Sequence, residues 1–251
     1  MHSNFLFMIL VIDAGNSRIK TAVYQESTMV ATNFFENGQM EIGFKSILSA
    51  YPNIKNIVVS SVSNFDSELF RSFFGQYSII YVSQNYKFPF NNLYETPRTL
   101  GIDRMVLASG AVLKFPNVNR LVVDAGTCIT FDYIDQQNNY LGGAISLGLR
   151  MRYKSLNNYT AKLPLLETKF PENNIGNSTA ESIHSGVVLG LLHEIDGVIN
   201  DFKSKYSNFI IILTGGDAEF LAVRLKNTIF ANSNFLLDSL NLLHIYNTKN
   251  D

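Results

Sequence analysis

The heptapeptide Val11-Ile12-Asp13-Ala14-Gly15-Asn16-Ser17 recurs later in the chain as Val122-Val123-Asp124-Ala125-Gly126-Thr127-Cys128. A repeat of this kind sets the number of structural units. In each copy a β-branched run ends in Asp-Ala-Gly, a hydroxyl side chain follows, and residues of alternating character come next, as in Ile129-Thr130-Phe131-Asp132-Tyr133-Ile134. Each copy therefore reads as strand, tight turn, strand, and the chain as two similar halves.

Around the first copy, the apolar run Phe5 to Ile12 lacks a basic leader and a small-residue cleavage site, and it is too short to span a membrane. A buried central strand explains it. The rest of the first half predicts a helix at Met40 to Tyr51, a strand at Asn56 to Val62, a helix at Asp66 to Phe74 and a strand at Ser78 to Val82. An irregular stretch from Gln84 to Leu100 leads into a helix from Asp103 to Leu113, and Phe115-Pro116-Asn117 marks a boundary. The second half continues with a strand at Tyr140 to Ser146, helices at Leu149 to Tyr159 and Thr179 to Phe202, a strand at Phe209 to Leu213, and two helical segments after Thr214-Gly215-Gly216. This order predicts two α/β domains with mixed sheets, residues 1–116 and 117–251, with chemistry in a cleft between them.

Composition narrows the function. The 251 residues are 46% hydrophobic and 16% charged, which suits a folded globular chain. Twenty basic and 21 acidic side chains provide no basic field for a run of phosphates, so no nucleic acid partner is expected, and no membrane association. The single cysteine, Cys128, cannot form an internal disulfide, and a cytoplasmic location is expected. Cys128 reads as packing rather than as a nucleophile, since its sequence context holds no charged activator. His184 and His193 have no partner at ligand spacing, so no zinc site is expected.

The repeated turn has a chemical use. Glycine lets backbone N–H groups approach phosphate oxygens, hydroxyl and amide side chains add donors, and a carboxylate at a strand end can hold Mg²⁺. Asp13 with Gly15, Asn16 and Ser17 forms one such loop, and Asp124 with Gly126 and Thr127 the other. One copy alone would be an ordinary hairpin turn; the repetition favours a pair of loops that clamp one nucleotide. In Ile211-Ile212-Leu213-Thr214-Gly215-Gly216-Asp217-Ala218 a strand runs into a glycine pair at a helix start, where a flat ligand such as adenine can lie on the backbone. Its plainer alternative is a βα turn capped by Asp217.

These three motifs, in this order, resemble the phosphate 1, phosphate 2 and adenosine motifs of the acetate kinase, sugar kinase, heat-shock 70 and actin superfamily. A narrower resemblance follows from Asp13-Ala14-Gly15-Asn16-Ser17, Tyr94 with Pro97, Gly101-Ile102-Asp103-Arg104, Asp124-Ala125-Gly126-Thr127, Gly142-Gly143-Ala144-Ile145 and Gly176-Asn177-Ser178-Thr179. Together they are similar to type III pantothenate kinases over nearly the whole chain, with Gly-x-Asp-Arg the most diagnostic segment. Ser17 stands where threonine is common in that family, and Leu147 where proline is frequent.

The resemblance implies two ribonuclease H-like domains of the actin type, and an ATP-dependent kinase that makes 4′-phosphopantothenate at the start of coenzyme A synthesis. It implies that Asp13, Ala14, Gly15, Asn16, Ser17, Arg18, Ile19, Lys20 and Thr127 bind ATP. It makes Asp103 the catalytic base, and Tyr94, Gly101, Ile102, Asp103, Arg104 and Thr179 the substrate contacts. Arg104 would hold the pantothenate carboxylate, which suits the planar fork of arginine. It further implies Mg²⁺, a monovalent cation (K⁺ or NH₄⁺) at Asp124, and a homodimer that shares the acceptor site through second-half helices. Without the surrounding motifs, Asp103 and Arg104 would read as a helix-start aspartate with a solvated arginine, and Tyr94 as a surface aromatic. Two other functions stay open: a kinase of this fold with another acceptor, and a regulatory relative that has lost the chemistry.

Overall fold

The computed structural model describes residues 8–15, 18–61, 70 and 74–249. The chain divides into two compact units. One comprises the chain up to Lys114 together with the segment from Phe235 onward, and the other is Phe115–Asn234.

The first unit is built on β1 (Met8–Ala14), β2 (Arg18–Gln25), β3 (Thr28–Glu36), α1 (Met40–Ala50), β4 (Ile54–Ser61) and β5 (Ser78–Tyr81), followed by the short β6 (Asn91–Asn92) and α2 (Ile102–Lys114). Its sheet runs β3-β2-β1-β4-β5, antiparallel between β3, β2 and β1 and parallel between β1, β4 and β5. The strand nature of β1 follows from its apolar run, which has a core to fill on both faces. Leu10 and Ile12 pack with Ile19, Val23, Phe44, Ile57 and Phe70, while Val11, of opposite orientation, packs with Ala22, Val58 and Val106. The predicted helix at Asp66 to Phe74 lies outside the described residues except for Phe70 and Phe74, both fully buried.

The second unit contains β7 (Asn119–Ala125), β8 (Cys128–Ile134), β9 (Asn139–Leu147), α3 (Leu149–Asn158), α4 (Thr179–His184), α5 (Gly190–Lys205), β10 (Phe209–Thr214), α6 (Ala218–Ala222) and β11 (Phe230–Ala231). Within this unit the sheet order is β9-β8-β7-β10-β11, with β9, β8 and β7 antiparallel and β7, β10 and β11 parallel. Order and direction repeat those of the first sheet strand for strand. The sequence repeat is thus a structural one: β1 and β7 are the equivalent central strands, and each ends in its Asp-Ala-Gly.

The structure corrects the expected division in one respect. The last helix, α7 (Phe235–Lys249), was assigned to the half 117–251, but it packs within the first unit. Leu237, Leu240 and Leu243 form a stripe against Val11, Ala22, Val58 and Val106, covering the sheet face opposite α1. Polar contacts fix its register: Tyr24 Oη donates to Asp238 Oδ1 at 2.7 Å, and Asn241 Nδ2 to the Glu26 carbonyl at 2.8 Å. A second departure concerns the helix predicted from Thr179 to Phe202. It runs on to Lys205 and is interrupted by a π-helical segment at Ser185–Leu189. Among the described residues no helix is long and apolar enough to cross a membrane.

The α2–α7 contact depends on Gly110, where an added Cβ would lie 1.8 Å from Ser239 Oγ and 3.0 Å from the Ser239 backbone. Gly110→Ala is therefore expected to destabilise the unit by about 1–3 kcal/mol through overpacking. Thermal melts should show a lowered midpoint, and adding Ser239→Gly should restore part of the loss; unchanged melting of the single variant would contradict the contact.

Candidate active site

The first loop is set by β1. Asp13 faces Lys20 across the antiparallel β1–β2 pair and Ser60 across the parallel β1–β4 pair. Burial raises the Asp13 carboxyl from 3.8 to about 6; nearby Lys20 partly offsets this, and Asp103 adds to it. Ser60 is fully buried, and among the described residues its hydroxyl has no hydrogen-bond partner. No local motif marks Ser60, because its place beside Asp13 comes from the β1–β4 pairing. Ala14 and Ile19 are fully buried, with Ile19 in the core, so only their backbones are available to a ligand. Asn16 and Ser17 lie outside the described residues, as does the side chain of Arg18.

The second group of predicted residues gathers at the start of α2. Asp103 lies in its first turn, and its Oδ1 accepts a hydrogen bond from the Arg104 backbone N–H at 2.9 Å. A Cβ on Gly101 would sit 2.4 Å from that same oxygen, so glycine leaves the room the carboxylate occupies. Arg104 is 6% exposed, which removes the reading of a solvated arginine. Its Cζ lies 6.0 Å from the centre of the Tyr94 ring, at the outer limit of a cation–π contact. Ile102 packs against the apolar cluster that contains Val106 and Leu240.

In the second unit the two predicted loops meet. The turn after β7 is closed by the Gly126 N–H donating to the Cys128 carbonyl at 3.0 Å, and Thr127 is exposed. Gly215 lies against it with φ +97°, where a Cβ would come within 2.4 Å of both Asp124 Oδ1 and the Ala125 carbonyl. The Asp217 N–H donates to the same Ala125 carbonyl at 3.0 Å. Asp217 makes no side-chain cap for α6, contrary to the capped-turn alternative, and burial raises its carboxyl. Gly216 is exposed with open space above it, which leaves backbone for a flat ligand. From the other side Gly148 closes on the loop, 2.1 Å from the Thr127 carbonyl if it carried a Cβ.

Thr179 belongs to a further part of the second unit. It is exposed at the start of α4, whose N-cap Ser178 accepts from the Glu181 N–H at 3.2 Å, and it lines a cavity of about 1150 Å³ with Leu147, Arg152, Tyr159 and Val187. Arg152 was not foreseen. Its Nε donates to the Leu147 carbonyl at 2.9 Å and its Nη2 to Ser146 Oγ at 3.2 Å, and it pairs with Glu194. No local motif marks it, because its partners come from β9 and α5. His184 Nδ1 lies 2.8 Å from Tyr153 Oη inside the core, and His193 is exposed on α5. Cys128 Sγ rests 3.9 Å from Met151 Sδ. Among the described residues no group of three or more His, Cys, Asp or Glu side chains could hold a metal.

The electrostatics of Asp13 yield a stability prediction. Its carboxyl is raised in the folded state, so its contribution is fully present below the unfolded value of 3.8 and is lost as pH rises through about 6. A rise of that size corresponds to roughly 3 kcal/mol of destabilisation at pH 8. Asp13→Asn should raise the melting midpoint at pH 8 by several degrees and leave it nearly unchanged near pH 4. A midpoint at pH 8 equal to or below that of the parent chain would contradict the assigned desolvation.

A profile of the family described as type III pantothenate kinase matches residues 9–201. A type III pantothenate kinase from Flavobacterium johnsoniae is 57% identical over 97% of this chain and 100% of its own length. One from Flavobacterium psychrophilum is 54% identical over 95% of this chain and 99% of its own. Among solved structures, a Campylobacter jejuni protein provisionally assigned to the Baf family of transcriptional activators aligns with a TM-score of 0.63 at 20% identity, over 96% of this chain and 99% of that one. A glucokinase of the ROK family from Streptomyces griseus, in complex with glucose and AMPPNP, aligns with a TM-score of 0.52 at 11% identity, over 93% and 98%. At such identities the structures speak for the fold alone, that of the actin and sugar-kinase type. The extent and identity of the sequence matches, on a chain whose two sheets repeat this fold, establish that it belongs to the type III pantothenate kinase family.

Proposed function

We propose that this chain transfers the γ-phosphoryl group of ATP to the primary hydroxyl of pantothenate, giving 4′-phosphopantothenate and ADP, with Asp103 as the general base. One observation carries the assignment of roles: at the start of α2 the Asp103 carboxylate is held by the Arg104 N–H, next to an Arg104 side chain that is buried with its guanidinium 6.0 Å from the centre of the Tyr94 ring. Phosphoryl transfer demands mainly positioning and charge stabilisation, and this group supplies both.

In the proposed reaction the acceptor hydroxyl gives its proton to Asp103 while its oxygen bonds to the γ-phosphorus. The bond to the β,γ-bridging oxygen breaks, and ADP leaves. Gly101 and the Arg104 N–H keep the Asp103 carboxylate in one orientation. Arg104 then binds the pantothenate carboxylate, with Tyr94, Gly101, Ile102 and Thr179 as further contacts. Asp13 to Lys20 line the ATP phosphates, Ala14 and Ile19 through their backbones, and Thr127 contacts the nucleotide from the second loop.

Asp13 also suits Mg²⁺. A carboxylate whose burial opposes ionisation gains most from a nearby cation, and magnesium is usually held by one or two carboxylates with phosphates and water. When bound, Mg²⁺ would offset charge on the β- and γ-phosphates. A monovalent cation, K⁺ or NH₄⁺, belongs at Asp124, whose carboxylate lies against the Gly215 backbone. A homodimer is supported by apolar side chains exposed on the second unit, among them Ile145, Leu147, Tyr159 and Ile175. A cytoplasmic location goes with the lone, unpaired Cys128.

Coupled ADP release tests the proposal. Turnover should require pantothenate and rise with K⁺ or NH₄⁺. Asp103→Asn should lower kcat by about 10²–10⁴-fold while nucleotide affinity persists. Arg104→Lys should raise the pantothenate KM by roughly tenfold, because lysine cannot reproduce a bidentate contact. Turnover indifferent to pantothenate, or an Asp103→Asn variant of normal kcat, would refute the assignment.

A further inference from the structure

A second, smaller cavity of about 490 Å³ lies in the second unit, within the size range of small-molecule sites. It is lined by Phe170, Ser185, Gly190, His193, Arg224 and Lys226, so basic side chains rim a partly apolar space. It shares neither Thr179 nor any residue of the two phosphate loops.

Arg224 is held ready for a ligand. Its guanidinium lies over two aromatic rings, with Cζ 4.1 Å from the centre of Phe220 and 5.0 Å from that of Phe170. Nη1 donates to the Phe220 carbonyl at 2.5 Å, which fixes the plane of the fork. The acid in the lining has hydrogen-bond partners: Asp196, buried in the cavity wall, accepts from the Lys226 N–H at 3.2 Å and from Asn227 Nδ2 at 2.8 Å. Among the described residues neither Arg224 nor Lys226 forms an ion pair.

The floor adds an independent sign. Gly190 has helical geometry, and a Cβ there would meet nothing within 4 Å. Packing does not require glycine at this position, and a helical glycine costs about 1 kcal/mol relative to alanine. What glycine does preserve is open volume under the basic rim.

We infer that this cavity binds a small oxyanion-bearing molecule, a phosphate monoester or a carboxylate, whose charge meets Arg224 and Lys226 and whose apolar body lies over Gly190 against Phe170. The inference does not depend on the identity of the acceptor at Asp103. Phenyl phosphate and benzoate are suitable probes and separate the two anion types. Each would be titrated calorimetrically into the full chain saturated with Mg²⁺ and a non-hydrolysable ATP analogue, which occupies the phosphate loops. Saturable binding of at least one probe is expected, weakened roughly tenfold or more by Arg224→Gln, which removes a charge-assisted contact. Gly190→Leu should weaken it as strongly by filling the space, and it serves where Arg224→Gln fails to fold, since helix propensity favours the change. No saturable binding of either probe, or binding that Gly190→Leu leaves as in the parent chain, would overturn the site.

Discussion

Two carboxylates placed at the ends of buried strands are the constraint on which this structure turns. β1 and β7 are largely buried, and each carries a carboxylate next to its last residue, Asp13 and Asp124; the other charge in these strands, Arg120 at the start of β7, is buried against the Phe115 and Asp135 carbonyls. For Asp13 the cost of that position is plain: burial opposes ionisation, and neighbouring Asp103 opposes it further. A group that destabilises the empty protein yet gains from a cation and a polyphosphate is what a nucleotide site would retain. The fold supplies this position twice because it is the same sheet built twice.

Close backbone approach is the second theme, and it explains which glycines matter. Gly215 and Gly148 press on opposite sides of the Asp124 turn, where even a methyl group would overlap carbonyl oxygens. Gly101 works on a side chain instead, leaving space for the Asp103 carboxylate. Gly190 is different in kind, since nothing near it forbids a side chain. The first three are fixed by contact and the fourth by open volume.

Much of this was legible beforehand. Period-two alternation and β-branched runs placed the central strands of both sheets, and the repeated Asp-Ala-Gly tied the halves together. Helices α1, α2 and α3 were legible to within a few residues because their apolar spacing is local, whereas α4 and α5 read as one helix from Thr179 to Phe202. The π-helical segment at Ser185–Leu189 was not, since no proline marks it and the glycines at 186 and 190 are tolerated in a helix. Arg152 and Ser60 escaped for a related reason: their significance lies in a neighbour from another strand or helix, not in their own surroundings in the chain.

The sequence by itself determined two repeated α/β units, the strand-end carboxylates and the Gly-x-Asp-Arg segment, all of which are written in short-range patterns. Tertiary structure alone decided that α7 returns to the first unit, that Arg104 is buried beside Tyr94, and that the turns at Asp124 and Gly215 share one carbonyl. The leucine stripe of α7 would satisfy either unit as a pattern. Only the uncovered face of the first sheet, with Tyr24 and Glu26 placed to bond Asp238 and Asn241, selects its destination. Hydrophobic periodicity specifies that a face must be buried, whereas the partner that buries it is fixed by shape and by hydrogen bonds between residues far apart in the chain.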